Sequence, residues 1–558
     1  MKQLFSLVSV LFSGCIAFAQ SATTPVFVKA DTLRGSVTPE RVWWDVQRYD
    51  LSFTPDYINK SLYGCNAVSF KVKDKSSNGL MQIDLKEPLQ IDSIILGRNK
   101  LSYYKKNTVW YVVTNALKKG KEYTINIYYQ GKVHEAVRPP WDGGFTFTTD
   151  SVGRPWMTVT CQGEAGASIW YPCKDHQSDE PDKGASLTIT VADTLVAIAN
   201  GRMEFKHNNN NGTATYKWSV VNPINNYCLI PYIGKYVNFY EQYKGLKGIL
   251  DLNYWVLDYN LEKAKLYMPD QVHKMLNAFE YWFGPYPFYE DGYKLIETSN
   301  TGMEHQSAVS YGNWYEYGYR GRDISYSGWG LQFDFIIIHE SGHEWFGNNI
   351  TTADLADMWV HEGFTNYSET LFVDYIFGEQ AGNEYNYGSR KGIQNDRPII
   401  PAYNVNAKGS GDMYPKAGNM LHSIRHSLNN DSLFRKILRG LNKVFYHQVV
   451  TSRQVQEYIS QKAGFNFKQV FAQYLTTTQI PRLEFYFTEK DDRLHFRYTN
   501  CVKGFNLPIV LKSKTETVKL FPEDRWKEIT LSPALKVLFQ TGEIQKLYYV
   551  NAVNRNDK

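Results

Sequence analysis

Residues Phe335–Asn348 read FIIIHESGHEWFGN. Four apolar residues lead into two histidines four positions apart, with a glutamate directly behind the first. On a helix, positions four apart lie about 40° from one another around the axis, so His339 and His343 project from one face. The apolar run Phe335–Ile338 buries such a helix and fixes where its imidazoles point. Gly342 opposes it mildly, at roughly 1 kcal/mol of helix propensity relative to Ala.

Two nitrogens so placed can share a cation. Zinc at a catalytic site commonly takes three protein ligands and keeps a fourth position for water, whose pKa falls towards about 7. Glu340 turns about 100° away from His339, beside an ion and not on it, which makes it the candidate general base. A third ligand is required. The segment WVHEGFTNYSE, from Trp359, offers Glu362 after 18 intervening residues, room for one helix to end and a second to present a carboxylate. Glu369, seven residues further on, falls on the same helical face and can orient a histidine by hydrogen bond. The expected site is one Zn2+ per chain on His339, His343 and Glu362.

Further out, the texture of the 558-residue chain changes twice. From about Val42 to Lys235, short period-two runs such as NAVSFKV, EYTINIYYQ and ASLTITV indicate an antiparallel β domain. Helical spacing begins near Leu261 with LEKAKLYMPDQVHKMLNAFEYWFG and continues through LFRKILRGLNKVF. Alternation returns after Leu483, over a length that suits a small β-sandwich. A net charge of +5 with both signs interspersed argues against nucleic acid as a partner.

The first residues, MKQLFSLVSVLFSGCIAFAQ, carry Lys2, an apolar stretch and the small-x-small site Ala17-Phe18-Ala19, and read as a secretory signal peptide over 1–19. The alternative is lipoprotein processing at Cys15, the one route by which the chain would attach to a membrane. Export to the periplasm or beyond is the expectation. The remaining cysteines, Cys65, Cys161, Cys173, Cys228 and Cys501, are odd in number and widely spaced, so no disulfide framework is expected. Nothing in the sequence sets an oligomeric state.

HESGHEWFGN followed by HEGF resembles the aminopeptidase N family of gluzincin zinc metallopeptidases, in which H-E-x-x-H, 18 residues and a ligand Glu recur. The resemblance extends to TGMEHQSAVSYG at Thr301–Gly312, similar to the family's G-x-M-E-N loop on a sheet edge beside the metal. It implies that Glu304 binds the free α-amine of the substrate, with Gly302 and Met303 alongside. MYPKAGNML resembles the family's Y-x-K-G segment and implies that Tyr414 donates to the oxyanion. CQGEAGASIWYPCKD is similar to the β-domain segment that shares the amine, through Gln162, with Glu164 as the rival. YWFGPYPF is a further family-like landmark. Thr301, His305 and Ala417 depart from the pattern.

The resemblance implies a multidomain α+β fold: an N-terminal antiparallel β domain (27–236), a thermolysin-like, mostly helical catalytic domain (237–480) and a small C-terminal β-sandwich (481–558). The large C-terminal helical domain of many members is not part of this sequence. The implied activity is zinc-dependent removal of N-terminal residues from peptides with a free amine. Two other readings use the same motif: a thermolysin-like endopeptidase in which Glu304 is structural, and a non-catalytic zinc-containing peptide-binding protein. Epoxide hydrolysis, known in one branch of the family, has no specific support here. Glu340 argues against the non-catalytic reading, because a purely structural zinc site gains nothing from a carboxylate at the base position.

Overall fold

The period-two runs become strands. In the computed structural model, which describes residues 26–114, 117–161, 163–488 and 493–556, Trp44–Asp56 and Ser61–Val72 form a long antiparallel hairpin. Tyr49, Leu51 and Phe53 on one strand, with Val68 and Phe70 on the other, all point inward and are buried, as alternation requires. The segment read as a signal peptide, Cys15 included, lies outside the described residues, and so does Gln162.

The hairpin is the centre of an eight-stranded sheet. One pairing in it departs from the antiparallel expectation: Trp44–Asp56 runs parallel to Ala185–Ala192. These two strands are far apart in sequence, so no hairpin turn dictates their relative direction. Two smaller sheets, one of four strands including Pro155–Thr160 and Tyr232–Gly234 and one of three, complete the β region around a core of its own.

Tyr236–Gly245 and Gly248–Leu257 open a further, five-stranded sheet, continued by Tyr293–Glu297 and Val309–Tyr311 and ending at the short edge strand Gly302–Met303. Gly248–Leu257 and Tyr293–Glu297 pair in parallel, and the connection between them contains the 23-residue helix Leu261–Phe283. Met268, Val272, Met275, Phe279 and Phe283 repeat along its buried face, each contributing roughly 1.5–3 kcal/mol by leaving water. The helix stops at Gly284, whose positive φ of 95° and N–H to the carbonyl of Glu280 end the turn.

Helices dominate from Phe335 to Thr476. The motif helix Phe335–Gly342 packs on the helix Trp359–Phe377, and glycines set how closely. A Cβ at Gly342 would sit 2.6 Å from Ser368 Oγ and 3.2 Å from Thr365 Cγ2, so the propensity lost at Gly342 is the condition for the two helices to meet. A Cβ at Gly363 would lie 2.6 Å from the methyl of Ala417. The departure at Ala417 is thus accommodated by a glycine on the facing helix.

The C-terminal segment is β-rich, with a four-stranded sheet that includes Arg482–Phe487 and Arg493–Thr499 and a separate hairpin, Ile509–Lys512 with Thr517–Leu520. It also holds two helices absent from the sandwich expectation, Pro533–Gln540 and Glu543–Leu547. The first is only eight residues long, capped by Ser532 and buried through Leu535 and Phe539, too short for its period to stand out. Its core runs on into that of the helical region. The five described cysteines are all free. No helix among the described residues is long and apolar enough to cross a membrane.

Candidate active site

The motif helix begins where Asp334 accepts a hydrogen bond from the amide of Ile337 at 3.1 Å. That carboxylate also receives the hydroxyls of Tyr311 and Tyr267, at 2.9 and 3.1 Å, which tie the helix start to the sheet and to the long helix. The regular helix ends at Gly342, with His343 as its cap. Beyond it the chain breaks at Phe346 and Gly347, whose φ of 134° suits glycine, and the break turns the Phe346 carbonyl back onto His343 Nδ1 at 3.0 Å. His339 Nδ1 meets Glu369 Oε1 at 2.7 Å. A carboxylate and a carbonyl only accept, so each Nδ1 carries the proton and each Nε2 presents a lone pair.

Both lone pairs converge on Glu362. Its Oε2 lies 3.3 Å from His343 Nε2 and 3.9 Å from His339 Nε2, and the three donor atoms all fall within 4.8 Å of one another. Two donors at zinc bond lengths of about 2.0–2.1 Å in a tetrahedron stand roughly 3.4 Å apart, so the trio suits one zinc ion. Glu362 Oε2 is buried with no hydrogen-bond partner, the condition expected of an oxygen kept for a cation.

Glu304 completes the picture. It follows the edge strand Gly302–Met303, and its carboxylate forms a second compact group with Glu340 and His343. The edge strand lies tight against the motif helix: a Cβ at Gly302 would come within 2.8 Å of both Glu340 Oε1 and Ile336 Cγ2. Asn348 Nδ2 donates to the Glu304 carbonyl at 2.8 Å, joining the end of the motif segment to the edge strand. Burial pushes the carboxyls of Glu304 and Glu340 up, Glu340 to about 7, and a neighbouring carboxylate adds to each, Glu362 at Glu304 and Glu304 at Glu340. Burial acts the same way on Glu362, but the flanking imidazoles outweigh it and hold that carboxyl below its ordinary value. Four buried carboxylates, Glu304, Glu340, Glu362 and Glu369, face two histidines. Such a site is short of positive charge.

Tyr414 stands at the start of the helix Pro415–Leu428, its ring 6.0 Å from that of His339 and nearly parallel to it. It shares with the two histidines, Glu304, Glu340 and Glu362 the lining of a cavity of about 410 Å³ that also includes Thr301, Gly302 and Met303. His305 turns elsewhere. Its Nδ1 meets Tyr232 Oη at 2.5 Å, so the departure from Asn anchors the loop to the β domain. Glu164 is exposed and accepts the Lys408 amide at 3.1 Å.

Two contributors escaped sequence reasoning. Thr365 Oγ1 reaches His343 Nδ1 at 3.2 Å, and Tyr385 Oη donates to Glu369 Oε2 at 2.6 Å. The first had a readable signal, since Thr365 follows Glu362 by three positions on one helix. The second comes from the helix Glu379–Ser389 and had none.

Two family profiles match the chain: the peptidase M1 N-terminal domain over residues 46–228 and the peptidase family M1 domain over residues 267–474. The chain belongs to peptidase family M1. This M1 chain is 22% identical over 429 residues to endoplasmic reticulum aminopeptidase 1 of Rattus norvegicus, a match covering 71% of the chain and 44% of the relative. With aminopeptidase N of Bos taurus the identity is 22% over 374 residues, 62% of this chain and 37% of that one. The M1 chain therefore spans less than half the length of these relatives. A crystal structure of an M1 zinc metallopeptidase from Deinococcus radiodurans superposes with a TM-score of 0.66 at 19% identity, covering 79% of this chain and 95% of that one. The fold is shared over nearly the whole of that protein.

One consequence of the Glu369 contact is measurable. Glu369→Gln is expected to weaken zinc binding about 10–100-fold, read by titration against a competing chelator, because the amide holds the His339 ring and its tautomer less firmly.

Proposed function

We propose that the protein is a zinc-dependent aminopeptidase that removes N-terminal residues from peptides with a free amine, using one ion held by His339, His343 and Glu362. The observation that carries this reading is the position of Glu304. Glu304 is a buried carboxylate beside Glu340 and His343 and outside the trio His339, His343 and Glu362, where it can make a charge-assisted hydrogen bond to a substrate ammonium. Relatives named aminopeptidases support it.

Zinc at this site supplies Lewis-acid polarisation of the scissile carbonyl and acidifies a water. The protein's own groups do the rest. Glu304 holds the ammonium and so counts one residue from the chain end. Glu340 takes the proton of the attacking water and returns it to the leaving amine. Tyr414 donates its hydroxyl to the oxyanion, a contact of a kind typically worth about 3 kcal/mol of barrier. Glu369 and the Phe346 carbonyl keep both imidazoles in the tautomer that leaves Nε2 free. The first 19 residues support export as the setting for this activity.

The test is a panel of peptides offered with free and with acetylated N-termini, each run with and without a chelator. Free peptides are expected to be cleaved and acetylated ones left intact, with all turnover lost on chelation. Comparable cleavage of both forms would point to an endopeptidase, and zinc binding without turnover to a non-catalytic peptide binder.

A further inference from the structure

The cavity has a wall that the metal motif does not account for. Pro140 and Trp141, on the connection between the strands Glu122–Lys132 and Gly144–Thr149 of the β domain, line it from outside the catalytic region. Trp141 is 56% exposed, an indole presented to the cavity and to solvent and not committed to a core. Its loop is pinned, because Asp142 Oδ2 accepts the amides of Val137 and Arg138 at 2.7 and 2.8 Å. Apolar side chains of the catalytic region, Phe335, Ile336 and Ile324, line the same cavity.

Glu304 sets the register of a substrate along this wall. Beyond Glu304 the chain is closed off, with His305, Gln306 and Ser307 fully buried, so the edge open to a peptide anchored there is Gly302–Met303, leading back towards Thr301. Peptides commonly add to a free sheet edge in extended form, advancing about 3.3 Å per residue. The second residue then falls beside Gly302, which contacts Ile336 of the motif helix.

We propose that the apolar part of this cavity, lined by Trp141, Phe335 and Ile336, is the subsite for the second residue of the substrate, and that Trp141 clamps a large apolar or aromatic side chain there. The proposal rests on the aminopeptidase reading, since Glu304 provides the register. Covering about half an indole is worth roughly 10–100-fold in binding.

The experiment measures kcat and KM of the zinc-loaded full chain on Ala-Phe-Ala, Ala-Leu-Ala and Ala-Gly-Ala. Wild type is expected to favour Phe over Gly in kcat/KM by about tenfold or more, chiefly through KM. Trp141→Ala should bring that ratio to within about threefold, and Trp141→Phe should keep most of it. A wild-type ratio below about two, or one unchanged in Trp141→Ala, overturns the clamp. Acetyl-Ala-Phe-Ala separates the two levels. If it is cleaved as fast as the free peptide, the aminopeptidase reading fails and the register fails with it. If it is refused while the Phe/Gly preference is absent, the clamp alone fails.

Discussion

Glu340→Gln is expected to bind zinc at the wild-type stoichiometry and to hydrolyse peptides roughly 10²–10⁴-fold more slowly, the range that a positioned general base contributes. The substitution is nearly isosteric, so the packing of Gly302 against this side chain survives. The three metal donors are elsewhere, and the amide cannot take a proton from water near neutral pH. Burial raises the Glu340 carboxyl, the direction that suits a group which must both accept and return a proton. Metal analysis of the purified variant beside its kcat checks the claim. Near-wild-type turnover with zinc bound would remove Glu340 from the chemistry, and loss of zinc would make it part of the metal site.

The second large effect falls on Glu304→Gln. Removing one partner of a buried charge pair costs about 2–5 kcal/mol, which is roughly 30–5,000-fold in kcat/KM. The loss should be specific to free amines. A peptide with a free N-terminus should suffer the full penalty, whereas the acetylated peptide, which has no ammonium to lose, should change little, so the discrimination between the two narrows. A uniform fall on both substrates would indicate that the Glu304 carboxylate supports the structure of the site and does not hold the ammonium.

Legibility differed sharply from residue to residue. The metal trio could be read because its information is local: two histidines at helical spacing, and a glutamate at a separation that one helix, one loop and one more helix fill. Glu369 was readable for the same reason, as a position on the face that already carried Glu362. The β region was readable through alternation, but the parallel pairing of Trp44–Asp56 with Ala185–Ala192 was not, since period two describes a strand's faces and says nothing of its neighbour's direction. The helix Pro533–Gln540 stayed hidden because two turns among strands give too few repeats of a 3.6-residue period.

By itself, then, the sequence determined which side chains could bind a metal, the order of β, helical and β-rich regions, and the family resemblance carried by the motifs. The first two follow from spacing along the chain, and the third from motifs matched residue by residue. Only the tertiary structure decided that both Nε2 atoms turn inward, since that depends on Glu369 and on the Phe346 carbonyl exposed by the break at Gly347. The same holds for the arrival of Glu304 beside Glu340 and for the entry of Trp141 from a separate domain. Those placements arise from packing between segments far apart in sequence, where fit between surfaces, and no local period, sets the distance.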